Sequence, residues 1–215
     1  MSIPERPSAG ARDRFLKAAS RQVPLPPRTW WRRILLGSLA SGGWLVAMLL
    51  LLGIRPDWHD LPVTGLVLTL AGLLLGAIVA AALGVARGRS MVGPSTERLA
   101  AVAAALPLLI LLLVVGIDPH GPSSIGSPPW HAGPCGLLVL GIALPLLGIG
   151  RFVLRGLILS RPGLVGACLG LAAATFAHLV IRVHCPITGP GHALLGHLLP
   201  LLPLMAIGAW LTRRK

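Results

Sequence analysis

A chain of 215 residues with 54% hydrophobic side chains and only 12% charged ones, at a mean hydropathy of +0.82, is too apolar for a water-soluble globular domain and falls in the membrane class. Its formal net charge of +13 would suit a nucleic-acid partner, but the basic residues are not gathered on one segment. They flank long apolar stretches, where anionic lipid headgroups attract each of them at ~1 kcal/mol. The partner this implies is a lipid bilayer, with no direct contact to nucleic acid.

In chain order, residues 1–33 form a tail too short to bury a core of its own. Its first ten residues, MSIPERPSAG, carry no apolar pattern and are expected to be disordered. Residues 11–23 (ARDRFLKAASRQV) place Phe15, Leu16, Ala19 and Val23 on one side of a short helix, which PLPPR at 24–28 then breaks. Such a basic amphipathic helix could lie on lipid, stay unfolded or fold on a partner; composition leaves the three open.

Six apolar stretches follow: Ile34–Leu52, Leu61–Val85, Leu99–Ile117, Gly136–Leu154, Gly163–Ile181 and His192–Leu211. Each is near the ~20 residues that cross a ~30 Å hydrocarbon core as a helix. The expected fold class is an all-α integral membrane protein of six transmembrane helices, with residues 34–215 as one membrane domain. Seventeen of the nineteen Lys and Arg residues fall in the tail, after the second stretch (Arg87, Arg89, Arg98), around the fourth loop (Arg151, Arg155, Arg161) or at the C-terminus. Only Arg55 and Arg182 lie on the other face. By the positive-inside rule both termini are cytoplasmic. No secretory signal peptide is expected, and the first stretch should act as an uncleaved signal anchor. Trp30, Trp31 and Trp210 are expected at the inner interface, Trp58 and Trp130 at the outer one, and Trp44 between helices.

All seven histidines and two of the three cysteines fall on the outer side or in the outer half of a span. Cys135, Cys185, His178, His184, His192 and His197 thereby share one zone, whereas Cys168 lies toward the inner end of the fifth stretch. Thiolate and imidazole ligate zinc, copper and other soft or borderline metals. Two outer cysteines could equally close a disulfide. Spacing does not decide: there is no CxxC and no HxxxH, and His192 and His197 are five apart. A structural disulfide, a thiol or metal sensor and catalytic chemistry all remain open. In the fifth stretch Gly166, Gly170, Ala174, His178 and Arg182 recur every fourth residue. This small-residue face should point into the bundle, unless Arg182 snorkels to the interface. Arg55 and Asp57 should pair locally in a solvated loop, for little net stability. The spans hold no Asp, Glu, Asn or Gln, which argues against an ion-coupled carrier.

Several elements resemble the NrsF family of membrane anti-sigma factors. They are the tail with its VPLPPR segment at 23–28, RPDW at 55–58, Trp130 shortly before Cys135, PLL at 145–147, RPGLVGA at 161–167, HCP at 184–186 and the further His197. Two positions depart from that pattern: Gly196 where an aromatic is usual, and Ile187–Thr188 where an acid commonly follows. The resemblance implies a non-enzymatic protein of the bacterial inner membrane. Its tail would hold an extracytoplasmic-function sigma factor through Phe15, Leu16, Ala19 and Val23. Cys135 and Cys185 would sense the releasing signal, supported by His178, His184, His192 and His197. No cofactor is implied, a bound soft metal ion being the one exception the residues admit. The alternative is a membrane thiol-redox protein working through Cys135 and Cys185.

Overall fold

The computed structural model describes residues 27–86, 132–157, 159, 161–187 and 189–213, together with residues 10, 101, 105, 106, 108–110 and 112. The expected tail helix with Phe15, Leu16, Ala19 and Val23 lies outside the described residues. So do Arg87, Arg89 and Arg98, the loop with His120, Trp130 and His131, and most of the stretch 99–117. Among the described residues every regular element is helical and no strand occurs. The helices are α1 (Pro27–Leu52), α2 (Val63–Ala86), α3 (Ala132–Val153), α4 (Pro162–His184) and α5 (Leu201–Arg213), with a single turn Pro190–His192 and a π-helical segment Ala193–Leu198 leading into α5. Among the described residues five segments are long and apolar enough to cross a membrane: Arg28–Leu52, Val63–Val85, Ala132–Val153, Pro162–His184 and Ala193–Arg213. They match five of the six expected stretches. α1 starts earlier than expected, so Arg28, Arg32 and Arg33 belong to its first turns rather than to the tail.

Sequence explains the ends of these helices. α4 opens with Pro162, whose missing N–H is an orphan of the first turn in any case. It closes at Cys185, extended at φ −78° and ψ 119°, the conformation favoured before a proline, here Pro186. α1 closes at Gly53, whose φ of +75° suits the left-handed turn that lets its N–H reach Leu49 O at 3.0 Å.

Packing puts α4 at the centre. Its small-residue face meets α5 so closely that a Cβ on Gly166 would come 2.1 Å from Gly208 O, and one on Gly170 2.2 Å from Leu204 O. Without a hydrophobic drive between helices in lipid, such close backbone approach is what holds a bundle together. Thr212 Oγ1 donates to Pro162 O at 2.6 Å, so α4 and α5 run antiparallel. Gly84 of α2 faces Val165 and Leu169, which makes α2 antiparallel to α4 as well. α1 lies on α3: Gly37 contacts Ile149 and Val153, and Trp44 Nε1 donates to Ile142 O at 3.0 Å. Trp44 thus packs between helices as expected, whereas Trp30 is a correction. It is buried in the apolar core rather than standing in an interfacial belt, while Trp31 and Trp210 are exposed.

The two ends of the bundle differ. One end gathers arginines: Arg33 donates to the carbonyl of Arg155, Arg151 Nε donates to Leu211 O at 3.2 Å, and Arg213 lies against Gly163. The other end holds Cys135, Cys185, His192 and His197, with the α1–α2 loop docked beside them.

Candidate functional site

Three elements bring the cysteine end together. Cys135 sits in the first turn of α3, Cys185 caps α4, His192 immediately precedes the π-helical segment and His197 lies within its last turn. Each offers one ligand atom, and these four atoms lie within 4.8 Å of one another. Cys185, His192 and His197 are buried, and Cys135 is half-buried. The sulfurs of Cys135 and Cys185 are 3.7 Å apart and both are free thiols. Cys185 Sγ is 3.4 Å from His192 Nε2.

The π-helical segment is what joins the two histidines. Residues five apart stand about 140° apart around an α-helix. Here the chain closes with an i→i+5 bond, Leu199 N–H to Leu194 O at 2.8 Å, and the wider turn returns His197 beneath His192. Their rings meet edge to face with centroids 5.1 Å apart. Pro200 supplies the local cause: it cannot donate to Gly196 O, and in a regular helix its ring would clash with that carbonyl. Gly196 itself packs against α3, where a Cβ would come 3.0 Å from Ala132 O, so an aromatic at this position has no room in this packing.

His178 and His184 behave differently. His178 on α4 is fully buried and packs edge to face on His197, centroids 5.1 Å apart. Neither of its ring nitrogens has a hydrogen-bond partner among the described residues. It therefore backs the four-atom cluster without belonging to it. His184 turns away, its Nδ1 lying 3.3 Å from Gly53 O. Cys168 sits apart against Leu83 and Leu164.

The Cys135–Cys185 and Cys185–His192 spacings suit a metal ion. A tetrahedral centre with bonds of about 2.3 Å to sulfur and about 2.05 Å to nitrogen requires sulfurs about 3.8 Å apart and sulfur–nitrogen pairs about 3.5 Å apart. The observed 3.7 Å and 3.4 Å are close to both. A disulfide would instead need about 2.05 Å between the sulfurs. The thiol of Cys185 is held below its ordinary value by hydrogen bonding from Cys135, and then from His192 and His197, against the opposing effect of burial. This favours the thiolate that a metal or an oxidant would meet.

Beside the cluster, Arg55 corrects the expectation of a solvated local pair. Its Nε and Nη2 donate to Asp57 Oδ1 and Oδ2, both at 2.6 Å, but the arginine side chain is fully buried. Nη2 also donates to Pro186 O at 3.0 Å, and the Arg55 backbone N–H donates to Val183 O at 3.0 Å. Hydrogen bonding to Arg55 holds the Asp57 carboxyl below its usual range. A buried guanidinium stripped of its partner is strongly destabilising, at about 3–5 kcal/mol. Arg182 is also buried rather than snorkelling.

Comparison with known proteins decides the family. The NrsF family, described as negative regulator of sigma F, matches residues 19–215. The chain belongs to the NrsF family. The anti-sigma-F factor NrsF of Caulobacter vibrioides (strain NA1000 / CB15N) is 32% identical over 221 aligned positions, covering 88% of this chain and 89% of that protein. No solved structure matches. The family's role is the negative regulation of a sigma factor, and the expected anti-sigma resemblance holds.

Proposed function

We propose that this NrsF protein sits in the bacterial inner membrane with six spans and both termini cytoplasmic, and that it sequesters a sigma factor of the extracytoplasmic-function type through its N-terminal tail. Phe15, Leu16, Ala19 and Val23 form the apolar face that grips the sigma factor. Cys135 and Cys185 sense the releasing signal at the outer face, with His192 and His197 completing the cluster and His178 packed behind it. The topology is supported by the arginines at one end of the bundle. It is supported further by α2 ending at the arginine end and α3 beginning at the cysteine end, which leaves one crossing to the stretch 99–117.

The observation that carries the sensing role is the convergence of two thiols and two imidazoles from three elements into one cluster. Soft metal ions and oxidants are the two signal chemistries such a cluster accepts. Turning a tail from 99:1 bound to 1:99 requires ~5.5 kcal/mol of differential binding, within reach of ligation by two thiolates and two imidazoles. The thiol-redox alternative is disfavoured by the placement of the third cysteine: Cys168 lies in a separate cluster and offers no exit for electrons.

The test uses the full chain in membranes with a reporter driven by its sigma factor. The chain is expected to silence the reporter, to co-purify with that sigma factor, and to lose both properties on Phe15→Ala with Leu16→Ala. Cadmium ion or diamide is expected to switch the reporter on, and Cys135→Ser with Cys185→Ser to abolish the switch. A response that survives the double serine variant removes the cysteines from sensing. Silencing that survives the tail variant removes the tail from binding.

A further inference from the structure

The α1–α2 loop is bound to the last turn of α4 and the residues just after it at three points. Arg55 N–H donates to Val183 O at 3.0 Å, Arg55 Nη2 donates to Pro186 O at 3.0 Å, and His184 Nδ1 lies 3.3 Å from Gly53 O. These contacts bracket Cys185 on both sides in sequence. The guanidinium has little freedom of its own, because Asp57 grips it in a two-pronged pair at 2.6 Å on each prong and its side chain is buried. Gly53 ends α1 directly. A path therefore runs from Cys185 along the chain to Pro186, across the hydrogen bond to Arg55, and back along the loop to the end of the helix whose other end carries the tail.

We infer that Arg55 is a positioning residue that ties the state of Cys185 to the position of α1. The inference rests on Cys135 and Cys185 being the sensing pair. Metal capture suits the present sulfur spacing, whereas disulfide closure must bring sulfurs now 3.7 Å apart to about 2.05 Å. Cys185 and the adjoining Pro186 carbonyl then shift toward α3, and the acceptor of Arg55 shifts with them. Arg55, buried and gripped by Asp57, has little room to follow, so the Arg55–Pro186 bond breaks and the loop loosens. The α1 terminus then passes from one discrete arrangement to another. The coupling is reciprocal: a tie that resists closure of the disulfide must, when cut, make that disulfide easier to form.

The test compares the full chain with Arg55→Gln and Arg55→Lys in lipid nanodiscs. Diamide closes the Cys135–Cys185 disulfide, its N=N bond taking up the two protons and two electrons that the thiols release. Amide hydrogen exchange over residues 53–60 is read before and after, and the thiol–disulfide equilibrium is read against dithiothreitol. In the native chain, oxidation is expected to raise exchange over 53–60 about fivefold or more. In Arg55→Gln, exchange there should already be fast and indifferent to oxidation, and the equilibrium should shift toward disulfide by about fivefold or more. Arg55→Lys, which keeps the charge but not the fork, should fall between the two. A pair that closes only in Arg55→Gln also supports the tie. Exchange over 53–60 that ignores oxidation in the native chain, an equilibrium unchanged by Arg55→Gln, or a pair that closes in neither protein overturns it. Loss of sigma-factor binding by the tail variant bears on the anti-sigma reading alone and leaves these readings untouched.

Discussion

α4 and α1 are both long apolar helices, but 78% of the most apolar window of α4 is buried and only 6% of that of α1. α4 is gripped by α5 through carbonyl-to-glycine contacts, carries Cys185 at its end, and places His178 against His197. α1 shows Leu35, Leu39, Leu50 and Leu51 to its surroundings and meets the bundle along one side only, through Trp30, Ile34, Gly37, Trp44, Leu45, Met48 and Leu49 and the loop that follows it. The helix that holds the cluster is therefore the enclosed one, and the helix that leads to the tail is the peripheral one. Low local contact is what lets an element move without unfolding the rest.

The contrast can be broken most severely at its glycines. Gly166→Val or Gly170→Val would place side-chain atoms onto backbone carbonyls that a Cβ alone meets at 2.1–2.2 Å. Overpacking of this kind costs about 3 kcal/mol or more, and little folded protein should survive detergent extraction. Gly42→Ala or Gly43→Ala on α1, with nothing within 4 Å of the added Cβ, should leave yield unchanged or raise stability by up to about 1 kcal/mol through helix propensity. Equal loss at both sets of sites would erase the distinction between the helices. Next in size, Cys185→Ser or His197→Ala should weaken cadmium binding by more than about tenfold, followed by titrating the thiolate-to-metal charge-transfer band. His184→Ala, which removes a ring directed at Gly53 O, should leave that titration alone.

A smaller effect is expected at the α1–α3 contact. Trp44→Phe keeps the apolar body but loses the bond to Ile142 O, worth about 0.5–1.5 kcal/mol. It should lower the thermal midpoint slightly while leaving cadmium binding intact. The smallest concerns pH. Hydrogen bonding to Arg55 holds the Asp57 carboxyl below the usual carboxylate range. Its contribution is therefore fully present above the unfolded value and is lost as pH falls through the lowered one. Thermal unfolding followed from neutral pH to about pH 3 should show a drop in stability, and Asp57→Asn should flatten that part of the curve.

The helices were legible because hydropathy marks them directly, and α2, α3 and α4 begin and end within a few residues of the expected stretches. The early start of α1 was hidden by Arg28, Arg32 and Arg33, which lower local hydropathy without breaking a helix. The cysteine–histidine zone was legible from compartment alone, since all its members fall on one side of the spans. Its membership was not, because His192 and His197 lack α-helical spacing. The trace that could have joined them is Pro200 followed by Pro203, which denies the preceding turn two of its usual donors. The burial of Arg55 had no local signal: its cover comes from the end of α4, more than a hundred residues away. Trp30 was misread because an aromatic beside arginines resembles an interfacial anchor, and only the packing of α1 shows that it turns inward.

The wide turn at Ala193–Leu198 has a consequence for chain length. A π-turn holds one residue more than the regular spiral would between the same two points. A chain shortened by one residue between Ala193 and Gly196 could wind as an ordinary helix with no residue left over, and the imidazoles now at 192 and 197 would become four apart. Substitution tables would record no lost ligand, yet the reach of each ring and the register of everything after it would change. At this place the spacing of the alphabet matters as much as its letters, and an alignment gap here deserves to be read as a change of site geometry.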